Sequence, residues 1–258
     1  MADKATPAHG TLYTVLFAAG VCLVCSVLVT GVRVALRERQ LANAALDRQR
    51  NVLRAAGLAE PGEALDAATV AKRFERVEAL VYDTGAQRLL PETDAAVVAR
   101  EGAPMRPVPV NDAGVREIPE RLVIYRVQGE AGTLWVLPVW GKGLWSTMRA
   151  YLALDGEGDT IRGVAFYEQQ ETPGLGGEVE NPEWTATWEG VEAYGPDGEP
   201  AVAVVKPKKR DPGNPHQIDA LSGATMTSRG VEQLVNFWLG ELGYGPWLKR
   251  DGSQEDGG

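Results

Sequence analysis

The chain has 258 residues, 44% of them apolar and 24% charged, with a net charge of −9 and an isoelectric point near 4.9, enough for one large domain or two small ones. That balance excludes a nucleic-acid binder, because neutralising phosphates needs a surface excess of Lys and Arg. His9 and His216 lie far apart and no cysteine follows Cys25, so no His-based metal site, imidazole relay, disulfide or thiolate-bound iron–sulfur cluster is expected in the soluble part.

A short tail, residues 1–11, carries Lys4 as its one Lys or Arg and precedes "LYTVLFAAGVCLVCSVLVTGV", residues 12–32, which contains no charge. As a helix rising about 1.5 Å per residue, this run crosses roughly 30 Å of hydrocarbon. It is longer than the ~7–15 apolar residues of a secretory signal, and no small-residue cleavage site followed by a loop appears, which predicts an uncleaved transmembrane anchor. Cys22 and Cys25 fall inside it; C-x-x-C can mark a redox pair or half a metal site, but in this setting they read as small apolar residues of a membrane helix. Arg33, Arg37 and Arg39 follow the span, and by the positive-inside rule they would put the large domain in the cytoplasm.

Residues 33–60 form a helical connector, "RVALRERQLANAALDRQRNVLRAAGL" ending at Gly57 as a C-cap. Pro61 and Gly62 break the chain, and residues 61–250 make up the soluble domain. There "LDAATVAKRFERV" predicts a short helix capped by Asp66, and "EALVYD" a strand. Residues 84–118, with Pro91, Pro104, Pro107 and Pro109, carry no assignable element. From Arg121 the pattern turns to β: "RLVIYRV" and "TLWVLPVWG" around "QGEAG", then "YLALD" and "IRGVAFYEQ" around a Gly- and Asp-rich turn, form two hairpins. A third is expected at "PDGE", joining "GVEAY" to "PAVAVVK". Six short strands with hairpin-length connections predict an antiparallel sheet rather than a βαβ stack. The expected fold class is therefore α+β: one N-terminal transmembrane helix, then a soluble domain of mostly antiparallel sheet packed with helices.

Between the second and third hairpins lies "ETPGLGGEVENPEW", with a short helix from Asn181 and Pro182. In the last helix Val231, Leu234, Val235, Trp238, Leu239 and Leu242 make one apolar stripe for the sheet, with Thr227 or Ser228 as the expected cap. The tail, residues 251–258, reads as disordered.

Three stretches carry chemistry. In "DALSGATMTS", Gly223 allows an unusual backbone angle, Ala224 keeps the approach open, and Ser222, Thr225, Thr227 and Ser228 set hydroxyls beside a helix start. Such a place suits an anion; it suits a plain capped turn equally well. A hydrolase nucleophile is disfavoured, since His216 is the only nearby base and no G-x-S-x-G elbow exists. "ETPGLGG", residues 171–177, can lie flush against a flat ligand or form an ordinary turn. "WGKGLWSTM", residues 140–148, sets Trp140 and Trp145 around a Gly-Lys-Gly turn, with a hairpin end as the plainer reading. The run Lys206, Lys208, Lys209, Arg210 reads by default as a solvated loop.

Taken together, "GKGLWSTM", "YEQQETPGLGGEV", "DALSGATMTS" and "RERQLANAALDRQR" resemble, in the same order and from about residue 11 to 248, the NqrC family of the sodium-translocating NADH:quinone oxidoreductases; the RnfG family of the Rnf-type electron-transport complexes is a more distant relative. In the NqrC family a flavin transferase attaches FMN through a phosphoester to the last residue of Asp-x-x-Ser/Thr-Gly-Ala-Thr, here Asp219, Ser222, Gly223, Ala224 and Thr225 without departure. The resemblance implies one covalent FMN on Thr225, with Glu171, Thr172, Gly174 and Leu175 packed beside the isoalloxazine and Trp145 and Ser146 flanking it. Lys206 becomes a phosphate or ring contact, and Thr227 a further hydroxyl of the cofactor site. The implied role is an electron carrier with no catalytic residues or metal of its own, passing electrons from partner subunits to a second covalent flavin and quinone. The sodium path is not expected in a single span without charge. Because the transferase works outside the cytoplasm, the resemblance implies a single-pass inner-membrane protein with a periplasmic domain, against the arginine count. The alternatives are an Rnf-type electron-transport protein, or an anchored FMN-binding module without electron transfer.

Overall fold

The computed structural model describes residues 10–60, 62–129 and 132–251. The expectations for residues 1–9, for the break at Pro61, for the turn residues Glu130 and Ala131 and for the tail from residue 252 lie outside these residues. Two compact units divide between Asp47 and Arg48.

In the first unit, helix α1 (Thr11–Ala55) begins, and its apolar part exposes its side chains on every face, Cys22 and Cys25 included. By length and composition it can cross a membrane.

The second unit opens with the last turns of α1. The helix ends as its sequence suggests: Gly57 takes φ +67°, and the Leu58 N–H donates to the Leu53 carbonyl at 2.8 Å, closing the last turn with a left-handed residue. Asp66 caps α2 (Ala67–Phe74) by accepting from the Thr69 N–H at 2.7 Å. Strand β1 (Val77–Asp83) follows. The unassigned stretch holds β2 (Arg88–Leu89), α3 (Ala95–Glu101, capped by Asp94) and an antiparallel pair, β3 (Met105–Pro107) with β4 (Glu117–Pro119). These pieces are too short for a hydrophobic period, and both strands of the pair end in proline, which cannot donate to a ladder. The two expected hairpins are β5 (Arg121–Gly129) with β6 (Gly132–Lys142) and β7 (Thr147–Asp155) with β8 (Ile161–Glu168). One antiparallel sheet runs β2-β1-β5-β6-β7-β8.

The third hairpin does not form. Its turn closes, with the Gly195 N–H on the Glu199 carbonyl at 2.9 Å, but Tyr194 and Pro200 make only an isolated bridge, since Pro200 has no N–H to extend a ladder. The chain instead makes β9 (Ala203–Val205), which pairs in parallel with β10 (Gln217–Asp219). Before these, Asn181 caps α4 (Pro182–Thr185) as expected.

The sheet is covered on both faces, so its central strands read as nearly continuous apolar runs. On one face Val52, Ala55 and Ala56 from the end of α1 meet Tyr125, Val127, Val136, Tyr151 and Ala153. On the other, α5 (Thr225–Leu239) buries Val231, Leu234, Val235, Trp238 and Leu239, and α6 (Gly245–Asp251) adds Trp247 and Leu248. Leu242, placed in the stripe by its spacing, lies past the helix end at Gly240 and is half-buried. Trp238 Nε1 donates to Trp140 O at 2.8 Å and the Tyr244 hydroxyl to Pro138 O at 2.9 Å, whereas Trp188 Nε1, buried in the same core, has no hydrogen-bond partner among the described residues.

The end of α1 sits so close to β8 that a Cβ on Gly163 would strike the Ala55 carbonyl oxygen. Gly163→Ala is therefore expected to destabilise the domain by about 1–3 kcal/mol through overpacking, read as a lower urea midpoint of the full chain in detergent.

Candidate functional site

The site begins at the start of α5. The helix opens at Thr225, earlier than its sequence suggests, and neither expected cap serves as one. The Ser228 Oγ accepts from the Leu221 N–H at 3.1 Å, while the Thr227 hydroxyl donates to Glu171 Oε2 at 2.6 Å. Both side chains lie inside the first turn, 2% and 1% exposed. Ala224 occupies the N-cap position and no side chain caps the helix. Its first N–H groups therefore have neither an intrahelical carbonyl nor a capping side chain, and Thr225 stands exposed at that end. Just before it, Gly223 takes φ +71°, and a Cβ there would come 2.9 Å from Leu175 Cδ2; the turn needs glycine for its angle and for that contact.

Thr225, Ser222 and Gly223 share a cleft of about 820 Å³ with Lys206, Lys208, Lys209 and Arg229. The basic run is exposed, as a solvated loop is, yet the 3-10 turn at Pro207–Lys209 sets three of its lysines on the cleft wall. Arg210 instead pairs with Asp219 Oδ2 at 3.4 Å. Asp219, half-buried at the end of β10, accepts from Trp184 Nε1 through its carbonyl at 2.7 Å. It is not among the residues lining the cleft.

The other two glycine-rich stretches reach the same place through Glu171, which is 5% exposed. Its Oε1 accepts from the Trp145 N–H at 3.0 Å and its Oε2 from Thr227 at 2.6 Å. A Cβ on Gly143 would lie 2.5 Å from Oε1, and one on Gly176 2.9 Å from Oε2, so both loops need glycine to close around the carboxylate. Ser146 Oγ accepts from the Gln170 N–H at 3.0 Å and ties the two loops together again. Around this buried join the surface is apolar: Leu144, Trp145, Leu175 and Met226 are all exposed, Trp145 by 70%. Thr172 and Gly174 are exposed on the same loop as Leu175.

All of the predicted residues but Asp219, which stands apart at the end of β10, fall into three sets. Thr225, Ser222, Gly223 and Lys206 share the cationic cleft; Trp145, Thr172, Gly174 and Leu175 are exposed on the two loops, with Ser146 half-buried between them; Glu171, Thr227 and Ala224 are buried beneath. The sequence reads Lys208 and Lys209 only as part of a solvated loop, and it does not single out Arg229, Leu144 or Met226. Arg229 had a local signal, since four residues after Thr225 is the same helix face; Met226 and Leu144 had only adjacency. Among the described residues no group of three or more His, Cys, Asp or Glu side chains could hold a metal ion. The arrangement offers an anion an uncapped helix end with four cations beside it, against one carboxylate, Glu232, which accepts from the Val204 N–H at 2.8 Å, and it offers a flat ligand an apolar surface.

Residues 143–240 match the FMN-binding domain family. The chain is 42% identical to the NqrC protein of the Na(+)-translocating NADH-quinone reductase of Yersinia pestis, covering 95% of each, and 41% identical to that of Pseudomonas aeruginosa, covering 93% of this chain and 95% of the relative. It is also similar to the crystal structure of Shewanella oneidensis NqrC, with a TM-score of 0.71 at 30% identity over 81% of this chain and 97% of that one.

Thr227→Val keeps the shape of the side chain and removes the donor to a buried carboxylate oxygen. The expected cost is about 1–3 kcal/mol of stability, measured by urea unfolding followed through tryptophan fluorescence.

Proposed function

The chain belongs to the NqrC family of the Na(+)-translocating NADH-quinone reductases, electron-carrying flavoproteins, and we propose that its FMN is joined by a phosphoester to Thr225 Oγ1. The observation that carries this is the position of Thr225: exposed, at an uncapped helix start, in a cleft lined by Lys206, Lys208, Lys209 and Arg229.

The residues fit the group. A phosphate esterified to Thr225 keeps negative charge, which the helix end favours by about 0.3–1 kcal/mol beside any direct hydrogen bonds. Lys206 and its neighbours add counter-charge, screened because they are exposed. Trp145, Ser146, Thr172, Gly174 and Leu175 would lie along the ring, joined by Leu144 and Met226. Ser222, Gly223 and Ala224 shape the turn, Asp219, paired with Arg210, ends the strand that leads into it, and Glu171 with Thr227 fixes the loops on which the ring would rest. Bound FMN supplies the redox chemistry; the chain supplies position and electrostatics. A covalent bond also keeps the carrier from dissociating.

The chain acts together with the other subunits of the reductase. A dedicated flavin transferase loads Thr225, and the chain is anchored by residues 12–32 in the inner membrane, followed by a connector over 33–60 and the FMN-binding domain over 61–250. The domain faces the periplasm in spite of Arg33, Arg37 and Arg39, because the modified threonine must meet its transferase.

Full-length wild type made together with the transferase is expected to give a fluorescent band on a denaturing gel, and Thr225→Ala to give none. A non-fluorescent wild type or a fluorescent alanine variant refutes the attachment. A reporter fused after Gly258 is expected to be active only outside the cytoplasm; activity confined to the cytoplasm refutes the orientation.

A further inference from the structure

We propose that Glu171 is a positioning residue whose buried, uncompensated negative charge lowers the reduction potential of the bound flavin. The inference rests on attachment of FMN at Thr225. Glu171 Oε1 holds the Trp145 N–H and Oε2 holds the Thr227 hydroxyl, two residues beyond the attachment point. Both partners are donors, as an ionised carboxylate requires. Both are also neutral dipoles, and among the described residues no Lys, Arg or His forms an ion pair with Glu171. The cations of the site stand elsewhere, on the cleft wall. With the side chain 5% exposed, and Gly143 and Gly176 closing over its oxygens, little water reaches the charge to screen it.

Electrons delivered to a flavin resting on these loops bring negative charge toward a fixed negative charge, and the carboxylate opposes them. One unit charge about 10 Å away, through an effective dielectric constant of about 20, changes an equilibrium roughly tenfold. Removing it with shape retained favours the reduced state. Glu171→Gln does this: its amide oxygen can still accept from the Trp145 N–H, and its amide N–H₂ can donate to Thr227 Oγ1 in place of the bond it received. Glu171→Asp keeps the charge and alters the geometry. The pair separates charge from scaffolding, because a purely structural glutamate would be injured by both changes alike.

The test is a redox titration of the flavin absorbance of the full chain in detergent, on samples whose covalent flavin is first verified by fluorescence on a denaturing gel. The Gln variant is expected at a more positive midpoint, with about tenfold more reduced flavin than wild type at a given applied potential, and the Asp variant within about twofold of wild type. If the Gln variant does not accumulate, Glu171→Met, of similar length and uncharged, carries the same expectation. A charge-removing variant with the wild-type midpoint, or equal shifts in the charge-removing and Asp variants, overturns the inference and leaves the attachment standing. Wild type without covalent flavin overturns both.

Discussion

One buried carboxylate governs the geometry of the site. The partners of Glu171 lie 26 and 56 residues away along the chain, on the turn between β6 and β7 and in the first turn of α5, while Glu171 itself follows β8. Hydrogen bonds to a charged group are worth about 1.5–3 kcal/mol each, yet taking a carboxylate out of water costs several kcal/mol. The two effects nearly offset, so the join adds little net stability. Its effect is positional: an apolar contact would let the loops slide, whereas a two-oxygen acceptor with one donor from each neighbour fixes the relation of both loops to Thr227.

That join is possible only because the elements beneath it are rigid. β6, β7 and β8 are adjacent strands of one antiparallel sheet, and α5 lies so close on β6 that a Cβ on Gly141 would meet Leu234 Cβ at 2.5 Å. All three loops therefore leave a packed scaffold within a few residues of its edge, an arrangement in which surface loops commonly carry function. The exposed Leu144, Trp145, Leu175 and Met226 follow from the same geometry: with the polar atoms of Glu171, Thr227 and Ser146 turned inward to hold the loops, the outward side chains are apolar. An exposed apolar cluster on a chain of net charge −9 signals a ligand or partner surface.

Sequence alone revealed the elements whose signals are local. Asp66 and Asn181 cap the helices they precede, Gly57 ends α1, and four strands between Arg121 and Glu168 follow from β-rich runs and short turns. The local signals that misled did so for a nonlocal reason. Thr227 and Ser228 are good capping residues, but their hydroxyls are committed to Glu171 and Leu221, and the helix starts earlier without them. The basic run from Lys206 looks like ordinary solvated charge until the parallel pairing of β9 with β10 brings it beside Ser222 and Thr225. The resemblance named the loop of Glu171 as part of the site; its burial, which separates it from the exposed Thr172 and Leu175, is decided by packing and has no signature in the residues around it.

The charges of the site are consequently sorted by depth. Its cations, Lys206, Lys208, Lys209 and Arg229, line an open cleft where solvent and salt weaken them, so their influence is local to an anion seated among them. The Glu171 carboxylate lies under the loops, where screening is poor and the same unit of charge reaches further. Reversing the arrangement would fail on both counts: a buried Lys would need an anionic partner of its own, and carboxylates in place of the four cations, added to the Glu232 already on the cleft wall, would repel a phosphate. An electron carrier with a phosphate-bearing cofactor needs strong attraction only at the phosphate and a steady field at the ring, and this division of charge between surface and interior supplies the two separately.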